Sequence, residues 1–252
     1  MLLELQSDII YGPVQSRRLG RSLGVNALPP LVKVCTFDCL YCQYGRAATH
    51  PPGETGKHNF PRKEEVLSAL EQALKNLSQP PVYITFSGNG EPTLHPDFKE
   101  MVAGVRQVRD ALSPTSKTAI LSNSTTVSDP ITRKALAMLD VRIMKLDAGT
   151  EEMFSHYNRP AKGITLAETV EGLASLGKVS LQSLFTKGPE GNFSPDHLSH
   201  WVKQVKKISP LFVQVYTLAR QSPTDSITAL DRNELIHIHS LLEKENIPSG
   251  FF

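Results

Sequence analysis

The sequence predicts an α/β protein built around a parallel sheet. Short runs rich in β-branched and aromatic residues, such as residues 82–86, alternate with stretches in which apolar residues recur at helical spacing. The strand runs are nearly continuous in apolar residues, as expected for strands that helices cover. Repeated strand–helix alternation indicates right-handed βαβ units, and such units build a parallel sheet.

The predicted strands and helices alternate over most of the chain. Strands are expected near 22–27, in a short piece at 31–34, and at 82–86, 118–121, 141–146, 179–185 and 211–218. Helices are expected from 61 to about 77, and at about 96–112, 129–139, 151–157, 165–177, 194–208 and 231–245. This order suits either a doubly wound sheet or a partial (β/α)6 barrel. In both folds, the loops at the carboxyl ends of the strands form the ligand site.

Local residues mark several helix boundaries. Asp129 precedes Pro130, which is the pairing expected of an N-cap and a first helical residue. Thr165 and Glu168 have the spacing of a capping box, and Gly177 is a suitable residue just beyond the end of that helix. These signals support two predicted helix starts and one predicted helix end.

Composition narrows the class of protein. The chain has 252 residues, of which 40% are hydrophobic, and its formal net charge is +2. These values are ordinary for a globular protein of one or two domains, and the charge is too small to indicate nucleic-acid binding by itself. No apolar run is long enough to span a membrane, and the N-terminal residues lack the pattern of a secretion signal. A cytoplasmic location is therefore the expectation.

Three cysteines lie within one short stretch. Cys35, Cys39 and Cys42 have the spacing C-x3-C-x2-C and are the only cysteines of the sequence. An odd number of cysteines does not suit a disulfide framework, whereas clustered thiolates are soft ligands for zinc or an iron–sulfur cluster. Three thiolates can hold three corners of a metal cluster, so another group must fill the fourth position. The alternatives are a Cys3His zinc site completed by His50 or His58, or three thiols without a metal.

Polar and glycine residues occur at the predicted strand ends. They are Gly88, Asn89, Gly90, Glu91, Ser122, Asn123, Lys145, Asp147 and Arg220, and a further polar residue, Gln182, lies within the strand predicted at 179–185. Glycines let a backbone approach a ligand closely, and Glu91 can accept hydrogen bonds from a cationic amine. The alternative for Glu91 is that it caps the next helix. Lys145 and Asp147 point to the same face of their strand, and they can equally form a buried pair without a chemical role.

Four of these polar residues give weaker evidence for a binding role. Ser122 and Asn123 can bind the ribose or carboxylate of a cofactor, or they can simply cap a turn. Gln182 is a polar residue within an apolar strand, where its amide requires a partner. Arg220 follows the last strand of the predicted sheet and can hold a carboxylate of a cofactor or substrate.

Three arginines, Arg17, Arg18 and Arg21, lie close together just before the first predicted strand. They can form an edge that binds an anionic substrate, such as a phosphate or RNA, and a solvated surface is the alternative. At the other end of the chain, Phe251 and Phe252 can cover an apolar opening or fray. The sequence does not decide between these alternatives.

Two motifs resemble those of the radical S-adenosylmethionine (radical SAM) superfamily. The first is the cysteine motif at 35–42, with Tyr41 just before its last cysteine, and the second is Ser-Gly-Asn-Gly-Glu-Pro at 87–92. In that superfamily, three cysteines bind a [4Fe–4S] cluster, S-adenosylmethionine chelates the fourth iron, and the aromatic residue lies near the adenine. The superfamily's second motif is Gly-Gly-Glu, from which this chain departs because Asn89 is interposed. The resemblance covers about 12–220 and implies a partial (β/α)6 TIM barrel.

Within the superfamily, the chain is similar to an Fe–S oxidoreductase group related to the wyosine tRNA-modifying enzymes. This similarity rests on the cysteine motif together with Gly-Pro-Val-Gln-Ser-Arg-Arg-Leu-Gly at 12–20 and Ser-Leu-Gly-Val-Asn at 22–26. It implies a single radical SAM domain over 1–252, with a core at about 12–220 and a C-terminal helix and tail at 221–252. No catalytic residue follows from it.

The resemblance implies an enzyme that cleaves S-adenosylmethionine reductively and generates a 5′-deoxyadenosyl radical for hydrogen abstraction. A tRNA base or a partner protein is the implied substrate class, and a flavodoxin- or ferredoxin-like protein is the expected one-electron donor. The alternatives are a non-catalytic iron–sulfur protein for electron transfer or redox sensing, and a zinc-stabilised RNA-binding module. The loop at 88–91 discriminates between them, because a redox sensor does not need a cofactor-binding loop opposite its cluster.

Overall fold

The computed structural model describes residues 2–45, 58–220 and 222–252. Its strands are β1 (Ile10–Ser16), β2 (Gly20–Val25), β3 (Tyr83–Phe86), β4 (Lys117–Ser122), β5 (Val141–Lys145), β6 (Ser180–Leu184), β7 (Thr186–Lys187), β8 (Phe212–Tyr216), β9 (Thr228–Ala229) and β10 (Ser249–Phe251). Its helices are α1 (Lys63–Asn76), α2 (Phe98–Leu112), α3 (Pro130–Ala137), α4 (Glu151–Met153), α5 (Leu166–Leu176), α6 (Pro195–Ile208) and α7 (Arg232–Lys244). A 3₁₀ turn (Pro92–Leu94) follows β3, and a π-helical turn (Phe154–Asn158) follows α4.

Eight strands form one curled sheet in the order β1-β2-β3-β4-β5-β6-β8-β10. β1 pairs with β2 in the antiparallel sense, whereas all the pairs from β2 to β10 are parallel. The inner strands β2, β3, β4, β5, β6 and β8 are the six that the sequence predicts as the parallel sheet. The curled sheet is a half-barrel, which confirms the predicted (β/α)6 partial barrel. The carboxyl ends of the parallel strands meet along one rim.

The main apolar core lies between the sheet and the helices that connect its strands. Phe86 of β3, Met101 of α2 and Leu181 of β6 are buried in it. Trp201 of α6 is also fully buried; its indole N–H donates to a backbone carbonyl, and its ring packs edge-on against Phe185 at 4.9 Å between ring centres. Trp201 is therefore a packing residue, because its one polar group is satisfied within the core.

The predicted helix starts are confirmed by their capping hydrogen bonds. The Asp129 carboxylate accepts a hydrogen bond from the Thr132 N–H, with Pro130 as the first helical residue of α3. The Thr165 hydroxyl accepts from the Glu168 N–H at the start of α5. Both caps satisfy backbone donors that the first turn of a helix otherwise leaves without a partner.

Two strands of the sheet were not predicted, and both lie at its edges. β1 contains Pro13, which has no backbone N–H to donate to a neighbouring strand. A proline weakens the sequence signal for a strand, and it is tolerated at the edge of a sheet, where β1 lies. β10 is only three residues long, and it adds Phe251 to the edge of β8. Phe251 and Phe252 pack against the main core, so the tail belongs to the sheet rather than fraying from it.

Two predicted elements were wrong in detail. The strand piece at 31–34 is absent: Leu31 is 87% exposed, and only Val34 makes a single bridge, to Gly90. Three of its four residues, Leu31, Val32 and Val34, are apolar and imitate a strand, but the preceding prolines favour an irregular chain. The helix predicted at 151–157 is a single turn, α4, that continues as the π-helical turn. None of the described helices has the length and hydropathy needed to cross a bilayer.

Candidate functional site

The chain that leaves β2 returns alongside the loop that follows β3, and this contact positions the cysteine motif. The Val34 N–H donates to the Asn89 carbonyl at 3.0 Å, and the Glu91 N–H donates to the Val34 carbonyl at 2.9 Å. Cys35 follows Val34 directly, so these two hydrogen bonds hold the first cysteine beside the loop at 88–91. The two motifs that are separate in the sequence are thereby joined through their backbones.

One cavity brings together most of the predicted site residues. It has a volume of about 180 Å³ and opens at the carboxyl-end rim of the parallel strands. The predicted residues that line it are Cys35, Cys39, Cys42, Tyr41, Gly88, Gly90, Glu91, Ser122, Asn123, Lys145 and Gln182. Lys33, Phe37, Tyr44 and Leu121 line it as well. We call it the cysteine cavity.

Three predicted site residues lie outside the lining of the cysteine cavity. Asn89 is fully buried behind the loop, and its side-chain amide donates to the carbonyls of Gln6 and Pro29, both at 2.9 Å. Asp147 is buried beneath the cavity floor. Arg220 is exposed beyond the end of β8. Asn89 and Asp147 therefore support the cavity from behind rather than face into it.

Gly90 has the backbone conformation and the surroundings that exclude a side chain. Its φ of +141° is one that residues with a side chain rarely adopt. A Cβ atom at this position would clash with the Val34 carbonyl oxygen, which is the oxygen that accepts the hydrogen bond from Glu91. Gly90 thus permits the close approach of its loop to the chain at Val34. From the sequence, a glycine here is expected for a different reason, namely the close approach of a ligand to the backbone.

The carboxylate of Glu91 is buried and already hydrogen-bonded. One oxygen accepts from the backbone N–H of Thr93 at 3.1 Å and from its hydroxyl at 2.7 Å, and the other accepts from the Asn123 N–H. Burial raises the pKa of Glu91, although these hydrogen bonds oppose the shift. Glu91 therefore caps the 3₁₀ turn and ties it to the loop after β4, while it also borders the cysteine cavity.

Asp147 organises the floor of the site. Its carboxylate accepts hydrogen bonds from the Tyr41 hydroxyl, from the Asn158 amide at 2.9 Å and from the Leu184 N–H at 2.8 Å. Lys145 forms an ion pair with it at 3.4 Å. Burial raises the pKa of Tyr41, and the Asp147 charge raises it further, so the phenol stays protonated and donates.

Lys145 is a half-buried cation in the barrel interior. Its ammonium donates to the Tyr216 hydroxyl at 2.9 Å, and that hydroxyl lies 3.4 Å from the amide oxygen of Gln182. Burial alone would lower the pKa of Lys145, but Asp147 and Tyr216 raise it above its usual value. The sequence left open whether Lys145 and Asp147 form a pair or face a ligand. The structure has the ion pair between them, and Lys145 also lines the cysteine cavity.

Amide groups approach two of the three cysteine sulfurs. The Asn158 amide nitrogen lies 3.5 Å from Cys39 Sγ, and the Asn123 amide nitrogen lies 3.5 Å from Cys35 Sγ. The Phe37 N–H also donates to Cys35 Sγ at 3.4 Å. Hydrogen bonds to sulfur stabilise negative charge on it, and they are among the means by which proteins tune iron–sulfur clusters.

Cys35 and Cys39 are protonated thiols in the absence of a metal. Burial raises the pKa of Cys35 and of Cys39 to about 12 in each case. Lys33 is buried beside them and donates to the Gly45 carbonyl at 3.1 Å. Burial alone would lower the pKa of Lys33, but the cysteines and Asp38 raise it. Metal binding at this site would release protons, because only thiolates coordinate.

The donor set fits an iron–sulfur cluster. Three soft sulfur donors border one cavity, with amide donors aimed at two of the sulfurs. In the described ranges, no three His, Cys, Asp or Glu side chains converge as the ligands of a single metal ion do. A cluster does not require such convergence, because each of its cysteines bonds to a different iron. Of the histidines proposed for a zinc site, His58 is not among the described residues lining the cavity, and His50 lies outside the described residues.

Several site residues could not be singled out from the sequence. Lys33 belongs to the segment predicted as a strand, and Tyr216 is one aromatic residue in an apolar strand. Asn158 lies far from the cysteine motif in the sequence, yet its amide reaches Cys39 Sγ. A π-helical turn causes this, since it directs the carbonyls of residues 157 and 158 to the backbone of the cysteine motif. Tyr-Asn-Arg-Pro in the sequence carries no signal for such a turn.

The sequence model of the radical SAM superfamily matches residues 30–190, which include the cysteine motif and the loop at 88–91. The chain belongs to the radical SAM superfamily. The predicted cofactors, a [4Fe–4S] cluster and S-adenosylmethionine, are those of this superfamily.

Curated relatives share the sequence over most of its length. A UPF0026 protein of Helicobacter pylori (strain J99) is 33% identical over 220 residues, which are 85% of this chain and 67% of that protein. A protein of Brachyspira hyodysenteriae named GTPase Obg is 32% identical over 240 residues, which are 92% of this chain and 33% of that protein. The radical SAM chain described here therefore spans between a third and two thirds of the length of these relatives.

Solved radical SAM structures share the fold at low sequence identity. Streptococcus suis SuiB bound to S-adenosylmethionine has a TM-score of 0.64 and 14% identity, covering 88% of this chain and 48% of SuiB. TYW1 with a lysine–pyruvate adduct has a TM-score of 0.63 and 14% identity, covering 89% of this chain and 73% of TYW1. These similarities confirm the partial barrel, and TYW1 is among them as the wyosine-enzyme resemblance implied.

Proposed function

We propose that this chain is a radical SAM enzyme that binds a [4Fe–4S] cluster through Cys35, Cys39 and Cys42 and cleaves S-adenosylmethionine reductively. One observation carries the proposal: the three cysteines line the same cavity as Tyr41 and the glycine loop at 88–91. A protein that only stored or transferred electrons would need the cysteines, but it would not need a second motif held against them. Neighbouring motifs around one cavity suit a cluster with a bound cofactor.

In this proposal, the residues of the chain bind the cluster and S-adenosylmethionine and orient them towards each other. When bound and reduced, the cluster supplies the electron that splits the S-adenosylmethionine sulfonium into methionine and a 5′-deoxyadenosyl radical, which abstracts a hydrogen atom from the substrate. The glycine loop at 88–91 lets the methionyl group approach the backbone, and the ring of Tyr41 borders the space for the adenine. Lys33 and Lys145 place positive charge around the cavity that a carboxylate would enter.

Three predicted cofactor-binding residues take supporting roles in the proposal. Asp147 positions Tyr41 and Asn158 through hydrogen bonds, and Asn89 fixes the glycine loop to the N-terminal segment. Glu91 holds the Asn123 backbone, so it shapes the cavity wall with both carboxylate oxygens already engaged. Positioning residues of this kind hold a site to the geometry that binding requires.

Anaerobic reconstitution tests the proposal. The protein is supplied with iron and sulfide, and the cluster is followed by absorbance and by electron paramagnetic resonance after reduction. S-adenosylmethionine is then titrated, and dithionite is added. We expect a [4Fe–4S] cluster whose spectrum changes on cofactor binding, with methionine and 5′-deoxyadenosine formed in equal amounts. Single Cys35→Ala, Cys39→Ala and Cys42→Ala variants should lose the cluster, because each removes one of three protein ligands.

The same measurements separate the competing functions. A stable cluster that neither binds nor cleaves S-adenosylmethionine would favour the electron-transfer or redox-sensing protein and overturn the proposal. Zinc in place of iron, in protein purified anaerobically from cells, would favour the zinc-stabilised module. Both outcomes can be read from metal analysis and one cofactor titration on the same preparation.

The proposal also covers the substrate class, the electron donor, the domain organisation and the cellular location. A tRNA base or a partner protein stays the substrate class implied by the resemblance, with a flavodoxin- or ferredoxin-like electron donor. One domain over 1–252 is supported by the eight-stranded sheet of the described residues, which includes both β1 and β10 and so joins the C-terminal tail to the rest of the barrel. A cytoplasmic location is supported by three unpaired thiols, which suit a reducing compartment.

A further inference from the structure

Arg18 lies in the β1–β2 turn and reaches across to the last strand of the half-barrel. Its guanidinium carbon is 4.2 Å from the centre of the Tyr216 ring, at the carboxyl end of β8. The Lys145 ammonium is 5.2 Å from the centre of the same ring. Two cations therefore flank one aromatic side chain at the open side of the barrel.

Arg18 lines two cavities that adjoin the cysteine cavity. The hairpin cavity, of about 340 Å³, lies between Arg18 and Tyr11 and shares Gly88 with the cysteine cavity. The mouth cavity, of about 330 Å³, lies between Arg18 and Tyr216 and shares Cys42 with it. Each volume is large enough for a small organic ligand. Arg18 is thus placed where a molecule next to the cofactor would meet it.

The two cavities have a positive lining without a compensating charge. Among the described residues, neither cavity is lined by an aspartate or a glutamate. The polar groups of the hairpin cavity are instead neutral hydroxyls, such as Tyr11 and Ser87, whose oxygens are 2.6 Å apart, and Ser22. Neutral hydroxyls can bind the polar body of a ligand, and the unbalanced cation favours a ligand with negative charge.

The guanidinium of Arg18 lacks an acceptor in the described part of the chain. Arg18 is half-buried, and its only hydrogen bond there is from its backbone N–H to the Ser16 hydroxyl. A guanidinium carries five N–H donors, and those of Arg18 are not among the buried atoms without a partner, so they are accessible to a ligand. Arg21 in the same hairpin differs, because its guanidinium is exposed and donates to the Gln79 carbonyl at 2.8 Å. Only Arg18 of the three neighbouring arginines lines both cavities.

We propose that Arg18 binds the carboxylate or phosphate group of a small anionic substrate held in these cavities beside the cofactor. This inference rests on the proposed function, since it names the substrate class of the same site. The planar guanidinium fork matches two oxygens of a carboxylate or a phosphate, and the Tyr216 ring keeps that fork in one orientation. The volumes of the cavities suit a small metabolite, and such a substrate would take the place of the tRNA base or partner protein that the resemblance implies.

Calorimetric titration of the cluster-loaded protein tests the inference. The probes are glycerol 3-phosphate, glycerate and uncharged glycerol, each with and without S-adenosylmethionine. We expect at least one anion to bind about tenfold or more tightly than glycerol. Arg18→Gln should weaken that binding by about tenfold or more, whereas Arg21→Gln should change it by less than about twofold. Which anion binds more tightly distinguishes a phosphate from a carboxylate substrate.

Several outcomes would overturn the inference. They are the absence of anion binding, glycerol binding as tight as that of the anions, and equal losses in Arg18→Gln and Arg21→Gln. A loss of S-adenosylmethionine affinity in Arg18→Gln without any anion binding would assign Arg18 to the cofactor and reject a substrate role. Because the anions are also titrated without S-adenosylmethionine, failure of the proposed function is read separately, from the cluster and cofactor measurements on unmodified protein.

Discussion

Gly90 and Val34 are packed so closely that no Cβ atom fits between the Gly90 backbone and the Val34 carbonyl oxygen. The same carbonyl accepts the hydrogen bond of the Glu91 N–H at 2.9 Å, and Val34 directly precedes the first cysteine of the motif. The contact therefore transmits the position of the glycine loop to Cys35. A change at Gly90 should alter both motifs together.

Gly90→Ala should abolish S-adenosylmethionine binding and lower the yield of the reconstituted cluster. The added methyl group must displace the chain at Val34, and the residue must also adopt a φ of +141° that alanine rarely takes. Cofactor affinity by titration and the iron content per chain are the measurements. We expect affinity to fall by about a hundredfold or more, equivalent to about 2.8 kcal/mol.

Gly163→Ala is the matched control for this variant. Gly163 also has a positive φ, of +87°, but a Cβ atom there would meet nothing within 4 Å. Backbone strain alone should cost about 1–2 kcal/mol of stability and leave cofactor affinity unchanged. Equal cofactor affinity in the Gly90 and Gly163 variants would show that the Val34 contact does not govern the site.

Asn158→Ala should make the reduction potential of the cluster more negative. The Asn158 amide donates to Cys39 Sγ at 3.5 Å, and donors to cluster sulfur favour the reduced state because it carries more negative charge. A redox titration monitored by electron paramagnetic resonance measures the shift. Asn192→Ala is the control, since Asn192 is equally buried and donates to the Asp147 backbone carbonyl at 3.0 Å without reaching a sulfur.

The two asparagine variants should separate an effect on the reduction potential of the cluster from an effect on the stability of the protein. Both remove buried hydrogen bonds, so each should lose about 1–3 kcal/mol of unfolding free energy. Only Asn158→Ala should also move the potential. A potential that is unchanged in Asn158→Ala, or shifted equally in Asn192→Ala, would rule out the amide–sulfur hydrogen bond as the cause.

The parallel strands could be predicted because each is a continuous apolar run between turn signals. The two edge strands could not be predicted, because the pairing of an edge strand depends on tertiary context rather than on a local pattern. β1 carries Pro13 and β10 has three residues, so neither has the strand signature. Conversely, the residues at 31–34 are mostly apolar, as in a strand, but they pair with the glycine loop through Val34 alone.

In the candidate site too, some residues could be predicted from the sequence and others could not. Residues that face the cavity directly could be proposed from their positions in the sequence, because Lys145 is the last residue of β5 and Glu91 lies in the loop after β3. Their hydrogen-bond partners could not, because Asn158 reaches Cys39 across 119 positions and Tyr41 reaches Asp147 across 106. The sequence indicates which residues are at a strand end, whereas the partners depend on how distant loops meet.

Tyr41→Phe should reduce stability more than cofactor affinity. The ring that borders the cysteine cavity is retained, whereas the Asp147 carboxylate loses one of its donors. A hydrogen bond to a buried charged group is worth about 1.5–3 kcal/mol, compared with about 0.5–1.5 kcal/mol for a neutral pair. Tyr157→Phe is the neutral control, since its hydroxyl pairs with the Thr186 hydroxyl at 2.8 Å.

Thermal unfolding and cofactor titration of both tyrosine variants test this expectation. Tyr41→Phe should lower the unfolding midpoint more than Tyr157→Phe, and it should keep cofactor affinity within about threefold of the unmodified protein. A large loss of affinity in Tyr41→Phe would mean that the hydroxyl, and not the ring alone, takes part in binding.

Stability should fall as the pH is lowered from about 7 to about 5, in part because of His95. Burial lowers the pKa of His95 below its usual value, even though the Pro61 carbonyl and Asp97 raise it. Its Nε2 donates to the Pro61 carbonyl at 2.9 Å, and its Nδ1 accepts from the Asp97 N–H at 3.0 Å, so a second proton would break a hydrogen bond. The unfolded chain therefore binds this proton first.

His95 stabilises the folded protein only while its imidazole is neutral. The contribution of a neutral, buried His95 is complete above the unfolded pKa of about 6.5 and is lost as the pH falls through the folded pKa, with a slope of at most about 1.4 kcal/mol per pH unit. His95→Gln should be less stable at pH 7 but should lose less stability on acidification. His197, whose pKa burial also lowers, still titrates in that variant, so the slope should shrink without vanishing. The exposed His237→Gln is the control, and an identical pH dependence in both variants would exclude His95 as a source of the acid sensitivity.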